Sequence, residues 1–232
     1  MSHTPILMIP GLNATTRVFQ AQMETLWRFG PVTIADHRQG NTMKDIAAAA
    51  LRDAPPRFAL GGFSLGGYVA LEIMRQVPER VTTLALIDTS ARPDTPEATE
   101  NRRRGIELAK AGKLAQAAES TFPNAVHPSN VDDIGIKAIH MEMARATGVD
   151  AYVRQQEAIA GRPDSRGDLA AIKVPTMIVV GDGDKITPPD VAMEMARAIP
   201  GAWLVTIEMA GHLALLEEPE QVNTALEGWL GE

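Results

Sequence analysis

The stretch Arg57-Phe58-Ala59-Leu60-Gly61-Gly62-Phe63-Ser64-Leu65-Gly66-Gly67-Tyr68-Val69 decides how this chain folds. It opens with a short apolar run, as a buried strand does. After Ser64, the residues Val69, Ile73 and Val77 recur at helical spacing, with Glu72 and Gln76 on the other side, until Pro78 ends the pattern. Strand, sharp turn and helix in succession hold the turn residue, Ser64, in a strained and exposed position. Gly62 and Gly66 relieve side-chain crowding around that turn, and Gly67 suits close helix–strand packing. The bare pattern G-x-S-x-G also fits an ordinary glycine-rich turn. The strand before it and the helix after it give it weight.

Working outward, short apolar runs recur at residues 5–9, 32–35, 83–87, 176–180 and 203–207, beside the one at 57–60. Most are continuously apolar rather than alternating, which is how parallel strands read when helices cover both faces. A helix follows Pro188-Pro189 with Val191, Met195 and Ile199, and another follows Pro219 with Val222, Leu226 and Trp229. The alternation predicts an α/β fold with a doubly wound, mostly parallel sheet of about six strands. Residues 91–172 break it. They contain no convincing strand, and 97–111, 114–121, 131–146 and 151–160 read as helices punctuated by Pro123, Pro128, Gly148 and Gly161-Arg162-Pro163. The expected organisation is therefore a core of residues 1–90 and 173–232 with a helical lid inserted at 91–172.

Composition bounds the function. The chain has 232 residues, 45% hydrophobic and 22% charged, with a formal net charge of −7. That suits a single globular domain and argues against a nucleic-acid partner, which wants a basic face. The one dense basic run, Arg102-Arg103-Arg104, reads as a solvated helix face. With no cysteine, the chain can form no disulfide, thiolate metal site or cysteine nucleophile. The N-terminal segment lacks the basic region of a signal peptide, and no stretch is long and apolar enough for a bilayer span, so no membrane association and a cytoplasmic location are expected.

A serine hydroxyl needs a base to attack. Five histidines are available. His212, just after the last expected strand, stands where the chain order serine, acid, histidine requires. His3, His37, His127 and His140 read as structural or solvated. A carboxylate must orient the base, and Val180-Gly181-Asp182-Gly183-Asp184 offers two at a strand end, where catalytic groups gather. The residues alone leave Asp182 and Asp184 open. A developing oxyanion needs backbone N–H donors: Leu65, following Ser64, and a residue of Ile9-Pro10-Gly11-Leu12-Asn13, where Pro10 cannot donate and Leu12 is the candidate.

Taken together, these residues resemble the α/β-hydrolase superfamily, specifically its small single-domain serine hydrolases with a helical lid. The elbow is Gly62-Phe63-Ser64-Leu65-Gly66-Gly67. The acid loop, Gly-x-x-Asp with a proline four residues on, is Gly181, Asp184 and Pro188, and that spacing favours Asp184. The histidine segment is Gly211-His212 through Glu217-Glu218-Pro219. Where many members have His-Gly in the oxyanion loop, this chain has Pro10-Gly11, and the family's first two strands are missing. The resemblance implies Ser64, Asp184 and His212 as catalytic residues, Leu12 and Leu65 as oxyanion donors, and no metal or cofactor. It implies a small-molecule carboxylic ester, lactone or thioester as substrate, hydrolysed through an acyl-enzyme on Ser64. A same-fold acyltransferase or lyase, a weakly catalytic ligand-binding receptor and a homodimer remain open at this stage. Within the lid, Ile134, Ala138, Met141 and Arg145 share a helical face, the first three reading as lid core. Arg17, Arg145, Arg154 and Arg166 are candidates to meet a substrate carboxylate.

Overall fold

A computed structural model describes residues 4–231. Six strands form one sheet: β1 (Ile6–Ile9), β2 (Val32–Ile34), β3 (Phe58–Phe63), β4 (Val81–Ile87), β5 (Thr176–Gly181) and β6 (Trp203–Ile207). Their order is β2-β1-β3-β4-β5-β6, and every neighbouring pair is parallel. Side chains alternate across a strand, so Leu7 and Ile9 of β1 enter one core while Ile6 and Met8 enter the other. Both faces being covered explains why the central strands read as continuous apolar runs.

Among the described residues ten α-helices accompany the sheet. Three precede the insertion: α1 (Met23–Trp27), α2 (Met43–Arg52) and α3 (Leu65–Gln76). Then come α4 (Pro96–Lys110), α5 (Leu114–Ala125), α6 (Ile134–Thr147) and α7 (Val149–Ala160). Last are α8 (Pro189–Ala198), α9 (Ala214–Glu217) and α10 (Pro219–Gly231). Ile46 of α2, Val69 and Ile73 of α3 and Met195 of α8 fill the core on one face of the sheet. Leu26 of α1 and Val222, Leu226 and Trp229 of α10 fill the other. Among the described residues no helix is long and apolar enough to cross a membrane.

Several elements differ from the sequence expectation. Strand β3 continues through Gly61 and Gly62 to Phe63, because it pairs with both β1 and β4 over that length. Helix α2 is not among the helices read from the sequence, although Met43, Ile46, Ala47 and Ala50 form an apolar stripe at helical spacing. A cap marks its start: Thr42 Oγ1 accepts from Asp45 N at 3.1 Å and donates to Asp45 Oδ2 at 2.7 Å. Helix α5 runs past Pro123 to Ala125; the proline deletes one N–H in the last turn, where little helix remains to disrupt.

Four helices and no strand lie between β4 and β5 among the described residues. The expected lid-core face of α6 is wrong. Ile134 is 85% exposed, and Ala138 and Arg145 are exposed as well. The buried side is instead Met143, Ala144 and Thr147, with Ile136 and Ile139 packed half-buried against the core. Apolar residues occur on both sides of α6, so its periodicity does not select a face; the neighbouring α5 and the core do.

Candidate active site

Ser64 joins the end of β3 to the start of α3 with φ 53° and ψ −114°. Left-handed backbone at a residue with a Cβ is costly and persists only where the surroundings enforce it. Here Ser64 N donates to Ile87 O at 2.9 Å, while Thr89 Oγ1 donates to Ser64 O at 2.8 Å. The turn closes only with glycine at the flanks: a Cβ on Gly66 would lie 2.0 Å from Ile9 O, and one on Gly62 2.3 Å from Gly66 O.

His212 follows β6 and lies against Phe63, ring centroids 5.5 Å apart. Its Nε2 is 2.8 Å from Ser64 Oγ and its Nδ1 is 2.8 Å from Asp184 Oδ2. With Nδ1–H donated to the carboxylate, Nε2 is left as the acceptor for the serine hydroxyl. Asp184 is held in turn: its Oδ1 accepts from Ile186 N at 2.7 Å and Thr187 N at 2.9 Å, and its Oδ2 accepts from Thr187 Oγ1 at 2.8 Å. Burial opposes its charge, but the charge and hydrogen bond of His212 and the donors of Thr187 outweigh burial and hold the carboxyl below the usual range. Asp182 is exposed, and its Oδ1 accepts from Ala210 N at 3.3 Å. The two aspartates therefore divide, with Asp184 aimed inward and Asp182 bracing the histidine loop.

Leu12 borders the same cavity as Ser64, and Leu65 is the first residue of α3, where an N–H has no acceptor within the helix. A buried histidine not singled out in the sequence supports the Leu12 loop. His37 Nε2 donates to Gly11 O at 2.8 Å. The peptide between Gly11 and Leu12 is planar and trans, so fixing its carbonyl fixes the Leu12 N–H pointing the opposite way. Burial lowers the His37 pKa to about 4, against the hydrogen bond to Gly11 and the charge of Asp36. The ring is thus neutral and keeps one N–H to donate. On the far side of the loop, Asn13 N donates to Gln155 Oε1 of α7 at 3.1 Å.

Glu217 is a second support that sequence reading placed only in a motif. Its Oε1 accepts from Gly211 N at 2.8 Å; its Oε2 accepts from His127 N at 2.7 Å and Asn130 Nδ2 at 2.9 Å. One carboxylate thereby ties the histidine loop to the segment between α5 and α6. Asp88, at φ 44° after β4, accepts from Gly181 N at 2.9 Å through Oδ1. Burial, then the charge of Asp184, pushes its carboxyl well above the usual range.

Ser64 and His212 open on a cavity of about 560 Å³, walled by the Leu12 loop, Phe63, Tyr68, Ile186 and Leu213 on the sheet side and by α4 to α7 across from them. Of the arginines expected to meet a carboxylate, none lines it. Arg17 pairs with Glu142, Arg166 with Asp164, Arg154 donates to Arg38 O, and Arg145 is exposed. Two arginines from the run read as a solvated face, Arg102 and Arg104, line it instead, and so does His140. Arg103 and Arg104 keep the solvated character, with side chains 71% and 70% exposed, and Arg104 lines the cavity only at its rim; Arg102 is the one drawn inward. Among the described residues no group of three or more His, Asp or Glu side chains is placed to hold a metal ion.

A strained serine on a strand-to-helix turn, hydrogen-bonded to a histidine that a buried aspartate orients, is the geometry of a serine-nucleophile enzyme. A profile of the alpha/beta hydrolase family matches residues 25–225, and the chain belongs to that family. It is 30% identical, over 93% of its length and 88% of theirs, to the pimeloyl-[acyl-carrier protein] methyl ester esterase of Neisseria meningitidis serogroup B. It is also 30% identical to the AB hydrolase superfamily protein YisY of Bacillus subtilis, over 96% of this chain and 90% of that one. Among solved structures, a thermophilic esterase from Thermogutta terrifontis, crystallised with malate bound, superposes with a TM-score of 0.89 at 32% identity, covering 98% of this chain and 89% of that one. The enol-lactonase of Burkholderia xenovorans shares the fold at a TM-score of 0.89 and 22% identity, over 100% and 93% of the two chains.

Proposed function

We propose that the protein is a serine hydrolase of small-molecule carboxylic esters, acting through an acyl-enzyme on Ser64. The observation that carries this reading is the continuous path Ser64 Oγ, His212 Nε2, His212 Nδ1, Asp184 Oδ2, with both links at 2.8 Å. Ser64 Oγ attacks the ester carbonyl carbon as its proton passes to His212 Nε2. The carbonyl electrons move onto oxygen, where the N–H groups of Leu12 and Leu65 stabilise them. Collapse breaks the bond to the alcohol oxygen, which takes the proton from Nε2 and leaves. Water then repeats the sequence, giving its proton to Nε2 and its hydroxyl to the acyl carbon, and Ser64 recovers its hydrogen. Asp184 stays ionised and stabilises the imidazolium formed in each half-reaction.

Residues 91–172 act in this reading as a lid that closes the cavity and selects the substrate, while 1–90 and 173–232 carry the chemistry. The relatives named as esterases at about 30% identity support an ester as the substrate class. The chain needs neither metal nor cofactor for this route, and a cytoplasmic location fits the absence of cysteine from its sequence. The test is mass spectrometry of the protein mixed rapidly with an activated ester such as 4-nitrophenyl acetate. An added acyl mass on the peptide bearing Ser64, absent from the Ser64→Ala protein, is expected, with turnover reduced by roughly 10⁴-fold or more in that variant. Steady turnover without an acylated serine, or a Ser64→Ala protein that keeps a tenth of the activity, refutes the assignment.

A further inference from the structure

The cavity beyond Ser64 has a one-sided charge. Arg102 and Arg104 line it, and no aspartate or glutamate does among the described residues. Arg102 is no free surface side chain. Its Nε donates to Asp94 Oδ2 at 2.7 Å, its Nη2 to Asp94 Oδ1 at 3.2 Å, and its Nη1 to Gln156 Oε1 at 2.9 Å. Asp94 also takes an ion pair from Arg162, and the exposures of the three side chains are 20% for Arg102, 8% for Arg162 and 2% for Asp94. Two guanidiniums thus share one carboxylate, leaving a net positive charge in a half-buried cluster. That excess sits in a wall of low polarisability, where a charge is felt more strongly than in water.

The cluster is locked into the pocket wall on three sides. Arg162 lies over the ring of Tyr68, 4.4 Å from its centroid, and Tyr68 stands one helical turn after Ser64. Gln156 Nε2 donates to Tyr152 Oη at 2.8 Å, which leaves the phenol proton for a ligand. Arg102 uses three of its five N–H groups on Asp94 and Gln156, and two remain. Arg104 stands nearer solvent, weakly paired with Glu100 at 3.5 Å. The oxyanion loop and His212 serve the reacting carbonyl and leave this cluster unused.

We infer that Arg102, held by Asp94 and backed by Arg162, is an anion subsite that selects esters carrying a second, free carboxylate, that is, half-esters of dicarboxylic acids. The inference rests on the ester-hydrolase reading above. A carboxylate at Arg102 meets the N–H groups left on Nη1 and Nη2, charge-assisted donors of the kind that bind carboxylates best, with Tyr152 Oη able to add a third. It also neutralises the net charge that Asp94 leaves uncompensated. A neutral ester of equal length fills the same volume with no partner for those donors, and a site built to pair a group discriminates against its absence. Hydrolysis consumes one water and releases the alcohol and a dicarboxylate.

The test uses the Ser64→Ala protein, so that binding is read without turnover, and titrates it calorimetrically with monomethyl glutarate and with dimethyl glutarate. The half-ester is expected to bind at least tenfold more tightly. That preference should shrink severalfold between low and high salt, because the contact is ionic. Adding Arg102→Gln should reduce the preference to less than threefold. Equal affinity for the two esters overturns the subsite, and so does a preference that survives Arg102→Gln in a protein whose melting curve is cooperative. If that variant does not fold, the decision passes to the unaltered pocket: a preference insensitive to salt overturns the inference, and one that falls with salt supports it. A half-ester preference without acylation of Ser64 in the active protein would sink the hydrolase reading and leave the subsite standing. Acylation without the preference does the reverse.

Discussion

At Asp184 two residues of distance along the chain decide a function. Asp182 and Asp184 leave the same end of β5, yet only Asp184 reaches His212, because Ile186 N, Thr187 N and Thr187 Oγ1 all point at its carboxylate. Asp184→Asn keeps the shape but offers an amide to Nδ1 and misdirects the tautomer, so kcat should fall by up to about 10⁴-fold. Asp182→Asn should cost less than about tenfold, a change of ~1 kcal/mol or less. Steady-state kinetics on both folded variants checks this, and a crippled Asp182→Asn would reverse the roles. His37 acts at the same scale. Its folded pKa of about 4 lies below its ordinary value of 6.5, so the unfolded chain takes up a proton first as pH falls. The stability it lends is therefore whole above pH 6.5 and lost progressively toward pH 4, by about 3 kcal/mol in all. Asp88, with a raised pKa, acts in the opposite sense at the acid end. The measurement is thus a difference: urea melts of wild type and His37→Gln from pH 7 to 4, with the wild type losing ground as pH drops. A constant difference would mean that the ring titrates in the folded protein as it does in the unfolded chain. His37→Leu, which deletes the donor to Gly11, should lower kcat by roughly tenfold or more through the Leu12 N–H while leaving KM little changed.

Among the elements, the histidine loop between β6 and α9 depends on a neighbour as much as on its own turn. Glu217 receives Gly211 N from that loop and His127 N and Asn130 Nδ2 from the segment after α5. Hydrogen bonds to a charged group are worth more than neutral ones, and leaving three donors unpaired should destabilise Glu217→Ala by about 2–3 kcal/mol. Activity should fall further than stability explains, because His212 is one residue from Gly211. Glu220→Ala, an exposed change on α10, should stay within about 0.5 kcal/mol and keep full activity. Thermal melts and initial rates on the pair separate the cases; equal behaviour would show that the Glu217 contacts contribute nothing. The elements were legible in the sequence to different degrees. The six strands and α3, α8 and α10 announce themselves by period, since both faces of the sheet are covered and each helix has one apolar stripe. Helix α2 stands out less, because its buried stripe is mostly alanine: Met43 and Ile46 lie beside Ala47, Ala49 and Ala50. The inward face of α6 is illegible for a related reason: Ile134 is as apolar as Ile136, and only the position of α5 and the core makes one exposed and the other not.

For the whole molecule, the sheet and the helical segment differ in how they are held. Strands β3 and β5 are buried along their full length, whereas α4 buries only Ile106 and Ala109. Amide hydrogen exchange should therefore find β3 and β5 opening only with global unfolding, and α4 opening locally at lower free energy. Equal exchange free energies in α4 and β3 would mean that the two layers open as one unit. The parallel sheet, the serine turn and the order serine, aspartate, histidine can all be read along the chain. Each of these rests on interactions a few residues long: strand and helix periods, the glycines that let one turn close, the spacing of a loop. The contacts between segments far apart in the chain are set by folding alone. Three consecutive arginines on α4 point around most of a helical turn, and nothing local says which faces the cavity. Asp94 and Gln156 make that choice for Arg102, from 8 and 54 residues away along the chain, and Arg162 joins Asp94 across 68 residues. His37 and Glu217 likewise owe their roles to loops that fold against them. The physical reason is common to all: the side chain's chemistry is written in the sequence, but its partner and its dielectric surroundings exist only once the chain has closed around it.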